Sequence, residues 1–209
     1  MLHDVLLKSN QTVRADSTRD RIVTAATAEF SQHGIAGARI ERIAKAAKTS
    51  KERVYAYFRS KEALYQFVAE HEMALVAEAT RLDPTDLPEY AGRVHDYFVS
   101  HPDRHRLMTW GRLEFAGSTA DAVTQKTVRR KAELLRKAQD VGQLDTAWDP
   151  IDILVLVNQI AMAWAGQLDL VDAAGDQVRN TSLAARRAAV VAAVQRLFPA
   201  AAATTNELA

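Results

Sequence analysis

Between Arg39 and Lys61 the chain places Arg39, Arg42, Lys45, Lys48, Lys51, Arg53, Arg59 and Lys61 against only Glu41 and Glu52, a local charge of +6. Tyr55, Tyr57 and Phe58 are interleaved with these cations. Lys and Arg donate to phosphate oxygens and to the guanine edge, and tyrosine hydroxyls reach phosphate, so the mixture suits a nucleic-acid surface. The excess is local: from Asp83 onward 14 basic residues face 16 acidic ones, and the whole chain carries +1. Other constellations are poorer. His101 and His105 have i, i+4 spacing, but Pro102 lies between them and no third ligand is near, so no metal is expected. His95 with Asp96, or His105 with Glu114, pairs acid with base but nothing positions a nucleophile, so no catalysis is expected. The chain has no cysteine, which removes disulfides, thiolate nucleophiles and Cys-based zinc sites. No cofactor is expected either.

The basic segment needs a scaffold, and the apolar spacing supplies one. Ser17 stands three before Asp20 in the manner of a capping box, and Ile22, Val23, Ala26 and Phe30 follow at helical spacing. His33-Gly34-Ile35 ends that helix, with Gly34 free to turn left-handed and Ile35 able to pack back. Ile40, Ile43, Ala44 and Ala47 write a second helix, and Lys48-Thr49-Ser50 separates it from a third that Ser50 caps. Ser60 caps a fourth, with Leu64, Phe67, Val68, Leu75 and Val76 inward, running to Asp83-Pro84. Two short helices on a three-residue turn, backed on both sides, make a helix-turn-helix. With Val54 and Phe58 inward, Glu52, Arg53 and Ala56 point out, flanked by Lys51, Tyr55 and Tyr57, a helix face that fits the major groove. Spacing alone also allows a plain helical hairpin; the charge favours DNA.

The 209 residues suffice for one large domain or two small ones, and few Gly and Pro beside abundant Ala predict an all-α fold. The start lacks a signal core, and Ile151 to Leu168 is too polar for a membrane span, so a cytoplasmic protein is expected. Helices are predicted over Pro88–Ser100, Asp103–Phe115, Thr119–Val141, Pro150–Leu168 with Asp149 as cap, and Asp176–Phe198. Leu113 and Leu183 are read as inward, and Arg129-Arg130-Lys131 as a solvated face. The Pro150 helix is apolar nearly all round and should be buried on every side.

Residues 17 to 70 resemble the DNA-binding domain of the tetracycline-repressor (TetR) family of transcriptional regulators. The resemblance is carried by Arg21-Ile22, Ala25-Ala26, Phe30, Gly34, Ile43 to Ala47, Ser50-Lys51, Val54-Tyr55, Phe58 and Ser60 to Leu64. It implies that Tyr55 meets the DNA backbone, that Lys61 contacts phosphate, and that Lys51, Glu52 and Arg53 face the bases. Tyr57 stands in place of a frequent histidine. Arg39 replaces the usual Thr or Ser, losing a cap but offering a phosphate donor. Lys48 stands where the turn usually has Gly, so a left-handed lysine is expected at a cost of about 1 kcal/mol. Glu52 fills a small-residue position and either accepts from cytosine N4 or pairs with a neighbouring lysine.

The resemblance further implies an effector between the fourth and seventh helices, contacted by Phe67, Tyr97, Met108, Trp110 and Trp164 and oriented by Arg106, Glu114 and Gln159. It implies a homodimer through the last two helices, with Val190, Val191 and Val194 inward, reading a palindromic double-stranded operator. The expected organisation is a disordered arm (1–16), a helix-turn-helix domain (17–63), a ligand-binding and dimerisation domain (64–198) and a disordered tail (199–209). The expected function is a homodimeric repressor released from its operator by a small apolar molecule. The alternative is a helical small-molecule-binding protein without a DNA-binding role.

Overall fold

The computed structural model describes residues 2–114 and 122–199, and side chains from residue 18 onward apart from those at 122, 168 and 169. Apart from Pro199, the tail expected at 199–209 lies outside the described residues. The helices are α1 (Leu2–Gly37), α2 (Ile40–Ala46), α3 (Lys51–Tyr57), α4 (Lys61–Ala79), α5 (Leu87–Ser100), α6 (Pro102–Glu114), α7 (Ala122–Asp140), α8 (Pro150–Ala161), α9 (Leu168–Ala174) and α10 (Leu183–Leu197). No strand occurs among the described residues, so the fold is all-α. α1 starts at Leu2, upstream of the start read at Ser17, and takes in the stretch read as an arm.

The chain divides into two compact units, Met1–Glu72 with Asp103–Thr119, and Met73–Pro102 with Ala120–Ala209. This differs from the boundary expected after residue 63, because α6 and most of α4 belong with the helix-turn-helix. The reason lies in the core of the first unit. Ile22, Ala26, Phe30, Ile43, Val54, Leu64, Val68 and Leu107 are all fully buried. The Tyr65 ring meets Phe30 edge-on, and its hydroxyl donates to the Leu107 carbonyl at 3.0 Å. Burial, with the charge of Glu114, pushes the Tyr65 hydroxyl up to about 12. Arg104 pairs with Glu72 at 2.8 Å.

A Cβ at Gly111 would come within 2.3 Å of the Tyr65 hydroxyl. Gly111→Ala is therefore expected to destabilise the protein by about 2 kcal/mol despite the better helix propensity of alanine. Tyr65→Phe removes the obstructing oxygen, so the double variant should lose less than the two single losses together. Denaturation of the four proteins measures this; strictly additive losses would refute the contact.

In the second unit α10 packs on α5 and α8, and α8 also packs on α5 and α7. Tyr90, Val94, Leu135, Ile153, Val157 and Val194 are fully buried. Several expectations are corrected here. α8 ends at Ala161 rather than Leu168, where turn bonds from Ala163 to Ile160 and Ala165 to Met162 lead to Gly166 with φ 81. The final helix starts at Leu183, capped by Ser182; Asp176 lies in a 3-10 turn instead. α8 is not buried all round: Ile151 is 41% and Val155 50% exposed. Leu75, Leu113 and Leu183 are exposed rather than inward. Lys131 is buried at 8% exposure, donating to the Tyr90 hydroxyl at 2.9 Å, while Arg129 and Arg130 do face solvent.

Candidate nucleic-acid interface

α2 ends in a Schellman turn: the Thr49 amide donates to Ala44, the Lys48 amide to Lys45, and Lys48 itself is left-handed at φ 53. A lysine therefore holds the position where glycine costs least. Ser50 then caps α3, accepting from the Arg53 amide at 3.2 Å, and Ser60 caps α4, accepting from the Ala63 amide at 3.0 Å. These local devices set the short helices, and Ile43, Val54 and Phe58 seal them onto α1.

Arg39 has no side-chain cap to offer α2. Glu29 of α1, which the sequence reading missed, substitutes for it. Its carboxylate accepts from the Arg39 amide at 2.8 Å and from Arg42 Nε at 2.7 Å. Burial alone would raise the Glu29 carboxyl, but the hydrogen bonds from Arg42 and Arg39 hold it below the usual carboxylate range. Arg42 also donates to the Gly37 carbonyl, so this cation fastens the entrance to α2. One turn of helix separates Glu29 from the histidine at 33, and nothing else in the local pattern announces its partners.

A groove of about 580 Å³ opens on this frame, lined by Ala38, Arg39, Ile40, Glu41, Lys51, Tyr55, Arg59, Ser60, Lys61 and Glu62. Four residues predicted for DNA contact, Arg39, Lys51, Tyr55 and Lys61, come together here, and Arg59 joins them. The Lys61 ammonium lies 3.4 Å from the carbonyls of Ala36 and Ala38, at the N-terminus of α4. Amides of a long helix's first turn beside cations form a natural phosphate seat.

Glu52, Arg53 and Tyr57 are not part of this lining. Glu52 and Arg53 are exposed on α3, and the Arg53 guanidinium lies over the Tyr57 ring at 5.6 Å. The Glu52 carboxyl is held low by its own amide and by the Ser50 hydroxyl. The lysine beside it pairs elsewhere: Lys51 Nζ lies 2.5 Å from Glu41 Oε1. A duplex laid against this surface would thus meet backbone-type donors in the groove and a separate exposed face of α3.

The residues expected to hold an effector are distributed over both units. In the first, Phe67 sits under Arg19 at 4.2 Å and stacks on His71. Glu114 accepts from the Ile35 amide at 2.7 Å, and Trp110 lies against Gly34. Met108 is half-buried and Arg106 exposed. In the second, Tyr97 stacks on His101 at 4.6 Å, and Gln159 is exposed. Trp164 lies under the Arg186 guanidinium at 4.2 Å and lines a cleft of about 470 Å³ with Leu170, Val171, Ala174 and Val178. Asp96, considered beside His95, pairs with Arg187 at 2.8 Å. Among the described residues no helix is long and apolar enough to cross a membrane.

Comparison with known proteins extends the resemblance to most of the chain. Residues 22–68 match the model of bacterial regulatory proteins of the tetR family, and residues 86–196 that of the tetracyclin repressor-like C-terminal domain. The HTH-type transcriptional repressor SCO4008 of Streptomyces coelicolor is 38% identical over 153 residues, covering 72% of this chain and 79% of that protein. The HTH-type transcriptional repressor NicS of Pseudomonas putida is 44% identical over 98 residues, 43% of this chain and 46% of that one. The crystal structure of the transcriptional regulator SCO4942 from Streptomyces coelicolor superposes with a TM-score of 0.80 at 59% identity, covering 88% of this chain and 99% of that chain. A tetR family regulator from a Shewanella species, 18% identical, has the same fold with a TM-score of 0.65 over 87% of this chain and 97% of that one. With its helix-turn-helix and its C-terminal helices both matched, the chain belongs to the tetR family of bacterial regulatory proteins and is a DNA-binding regulator.

Proposed function

We propose that the protein is a cytoplasmic homodimeric repressor that holds a palindromic operator and is released by a small apolar molecule. The observation that carries the DNA half is the groove joining Arg39, Tyr55, Arg59 and Lys61 at the capped start of α4. Arg39, Tyr55 and Lys61 seat the backbone, and Glu52, Arg53 and Tyr57 on α3 meet the base edges. The relatives named as repressors support the sign of control. The dimer places two such helices in successive major grooves about 34–36 Å apart.

The release step rests on α4, which contributes residues to both units. A ligand shifts the DNA equilibrium only through differential affinity for two states, so it must bias an element that includes DNA-contacting residues. Ser60 and Lys61 at the start of α4 meet that requirement. Phe67, Tyr97, Arg106, Met108, Trp110, Glu114, Gln159 and Trp164 remain the residues proposed for the effector. The apolar cleft at Trp164 supports a ligand of the same character.

The test separates seating from reading. Lys61→Ala should weaken binding to every duplex alike and flatten the salt dependence, by about 0.9 in the slope of log K on log salt. Arg53→Ala should instead alter which bases are selected, by about 1–3 kcal/mol at the affected position. Selection of bound genomic fragments with the purified proteins reads both. Wild-type affinity and preference in both variants would exclude α3 and the groove as the DNA surface.

A further inference from the structure

We propose that Glu41 is a positioning residue that withholds Lys51 from the DNA backbone, so that the groove meets phosphate with fewer cations than it contains. The inference rests on the DNA-binding reading of this surface. The groove is lined by four cations, Arg39, Lys51, Arg59 and Lys61, and by two carboxylates, Glu41 and Glu62. The two carboxylates are differently placed. Glu62 stands in the first turn of α4, held by its own amide and the Ser60 hydroxyl of the same helix start. Glu41 stands in the first turn of α2 and reaches across to Lys51, the first residue of α3.

Both partners of that pair are largely exposed, at 47% and 63% of their side chains, so the pair adds little to stability. Its consequence lies in geometry. An ammonium has three donors but is a compact charge, and one held on a carboxylate at the wall of an anion groove is already neutralised there. The hydrogen bond to Glu41 pushes the Lys51 ammonium up in pKa, and the same bond from Lys51 holds the Glu41 carboxyl down. A phosphate seated in the groove must either break this pair or leave Lys51 uncounted. Arg53, two residues further along α3, is offset from the groove and keeps its place against Tyr57. The sequence reading placed Lys51 with Glu52 and Arg53 as a base-facing residue; the pair assigns it to the groove wall.

The salt dependence of binding counts the phosphates that cations neutralise, which distinguishes this from a general effect of removing a negative charge. Binding of the full-length protein to a random-sequence duplex is measured across a salt series. Glu41→Gln should tighten binding about threefold to tenfold and steepen the slope of log K on log salt by about 0.9, one added phosphate contact. Lys51→Met in the wild-type background should leave the slope unchanged, and in the Glu41→Gln background should remove the added steepness. Circular dichroism and melting temperature should be unaltered in all three. An unchanged slope in Glu41→Gln overturns the proposal. So does a flatter slope in Lys51→Met alone, which would mean that Lys51 already contacts phosphate, and so does full steepening in the double variant. Failure of the wild-type protein to bind any duplex would overturn the DNA-binding reading with it.

Discussion

Ile151→Glu combined with Val155→Glu is expected to yield a folded monomer that has lost tight operator binding. The two residues stand one helical turn apart on α8, and both are exposed in the single chain while Ile153, Leu154 and Val157 of the same helix are buried. α10 carries its own exposed row of small residues, Ala184 and Ala188, beside the fully buried Val190 and Val194. Burying an exposed Ile or Val contributes about 1.5–3 kcal/mol, and a two-fold axis counts each residue twice. Two carboxylates placed in such a seam add an unpaired buried charge on each side, so the dimer should weaken at least about a thousandfold. Operator affinity should fall with it, because a lone short α3 meets only one half-site.

The choice of residues matters to the outcome. The sequence reading selects Val191 and Val194 as seam residues, but Val194 is fully buried within its own unit, where α10 packs on α5 and α8. A charge there would unfold the unit and say nothing about association. Sedimentation of the wild type and the Ile151/Val155 variant at micromolar concentration is the measurement, with circular dichroism to verify the fold. A wild-type monomer, or a variant that stays dimeric, would remove the homodimer from the proposed function.

The residues that the sequence reading placed well share one property: each acts within a few positions of itself. Ser50 and Ser60 cap helices three residues ahead, Asp149 caps α8 in front of Pro150, and Lys48 turns left-handed one step past the end of α2. Short-range chemistry of this kind is written directly in the local order of residue types. What was not legible depends on partners far away in the chain. Tyr65 finds Leu107 across 42 positions and Glu114 finds Ile35 across 79, and these two bonds attach α6 to the helix-turn-helix. Glu29 and Glu41 look like solvated acids until α2 and α3 are in place around them.

Lys131 is a different case. The Arg129-Arg130-Lys131 run suggests one solvated face, yet successive residues of a helix point about 100° apart. Lys131, Leu135 and Ala138 follow an i, i+4, i+7 row, and all three are buried. The row was present in the sequence; the charge of its first member obscured it. Once inside, the ammonium is accommodated by the Tyr90 hydroxyl, which donates onward to Asn158 at 3.1 Å, and by the face of the Tyr90 ring.

Gly34→Ala is expected to cost about 4 kcal/mol, enough to leave the first unit marginal or unfolded at physiological temperature. Two independent effects combine. Gly34 has φ 64 and ψ −174, a region that only glycine occupies without strain of about 1–3 kcal/mol. A Cβ there would also stand 2.7 Å from the Glu114 carboxylate and 2.9 Å from the Trp110 ring. Neither neighbour can withdraw at no cost, since Glu114 accepts from the Ile35 amide just past the turn and Trp110 is half-buried on α6. With Trp148 and Trp164 replaced by phenylalanine, Trp110 fluorescence reports denaturation of the first unit by itself. Glu114→Ala in the Gly34→Ala background should relieve part of the crowding but none of the backbone strain, so at least about 1 kcal/mol of the loss should persist. The measurement also weighs Trp110 and Glu114 between two roles. If Glu114→Ala alone destabilises the unit by about 1–3 kcal/mol, its carboxylate is engaged in closing the first helix. A Gly34→Ala protein as stable as the wild type would mean that the turn does not adopt this conformation in solution.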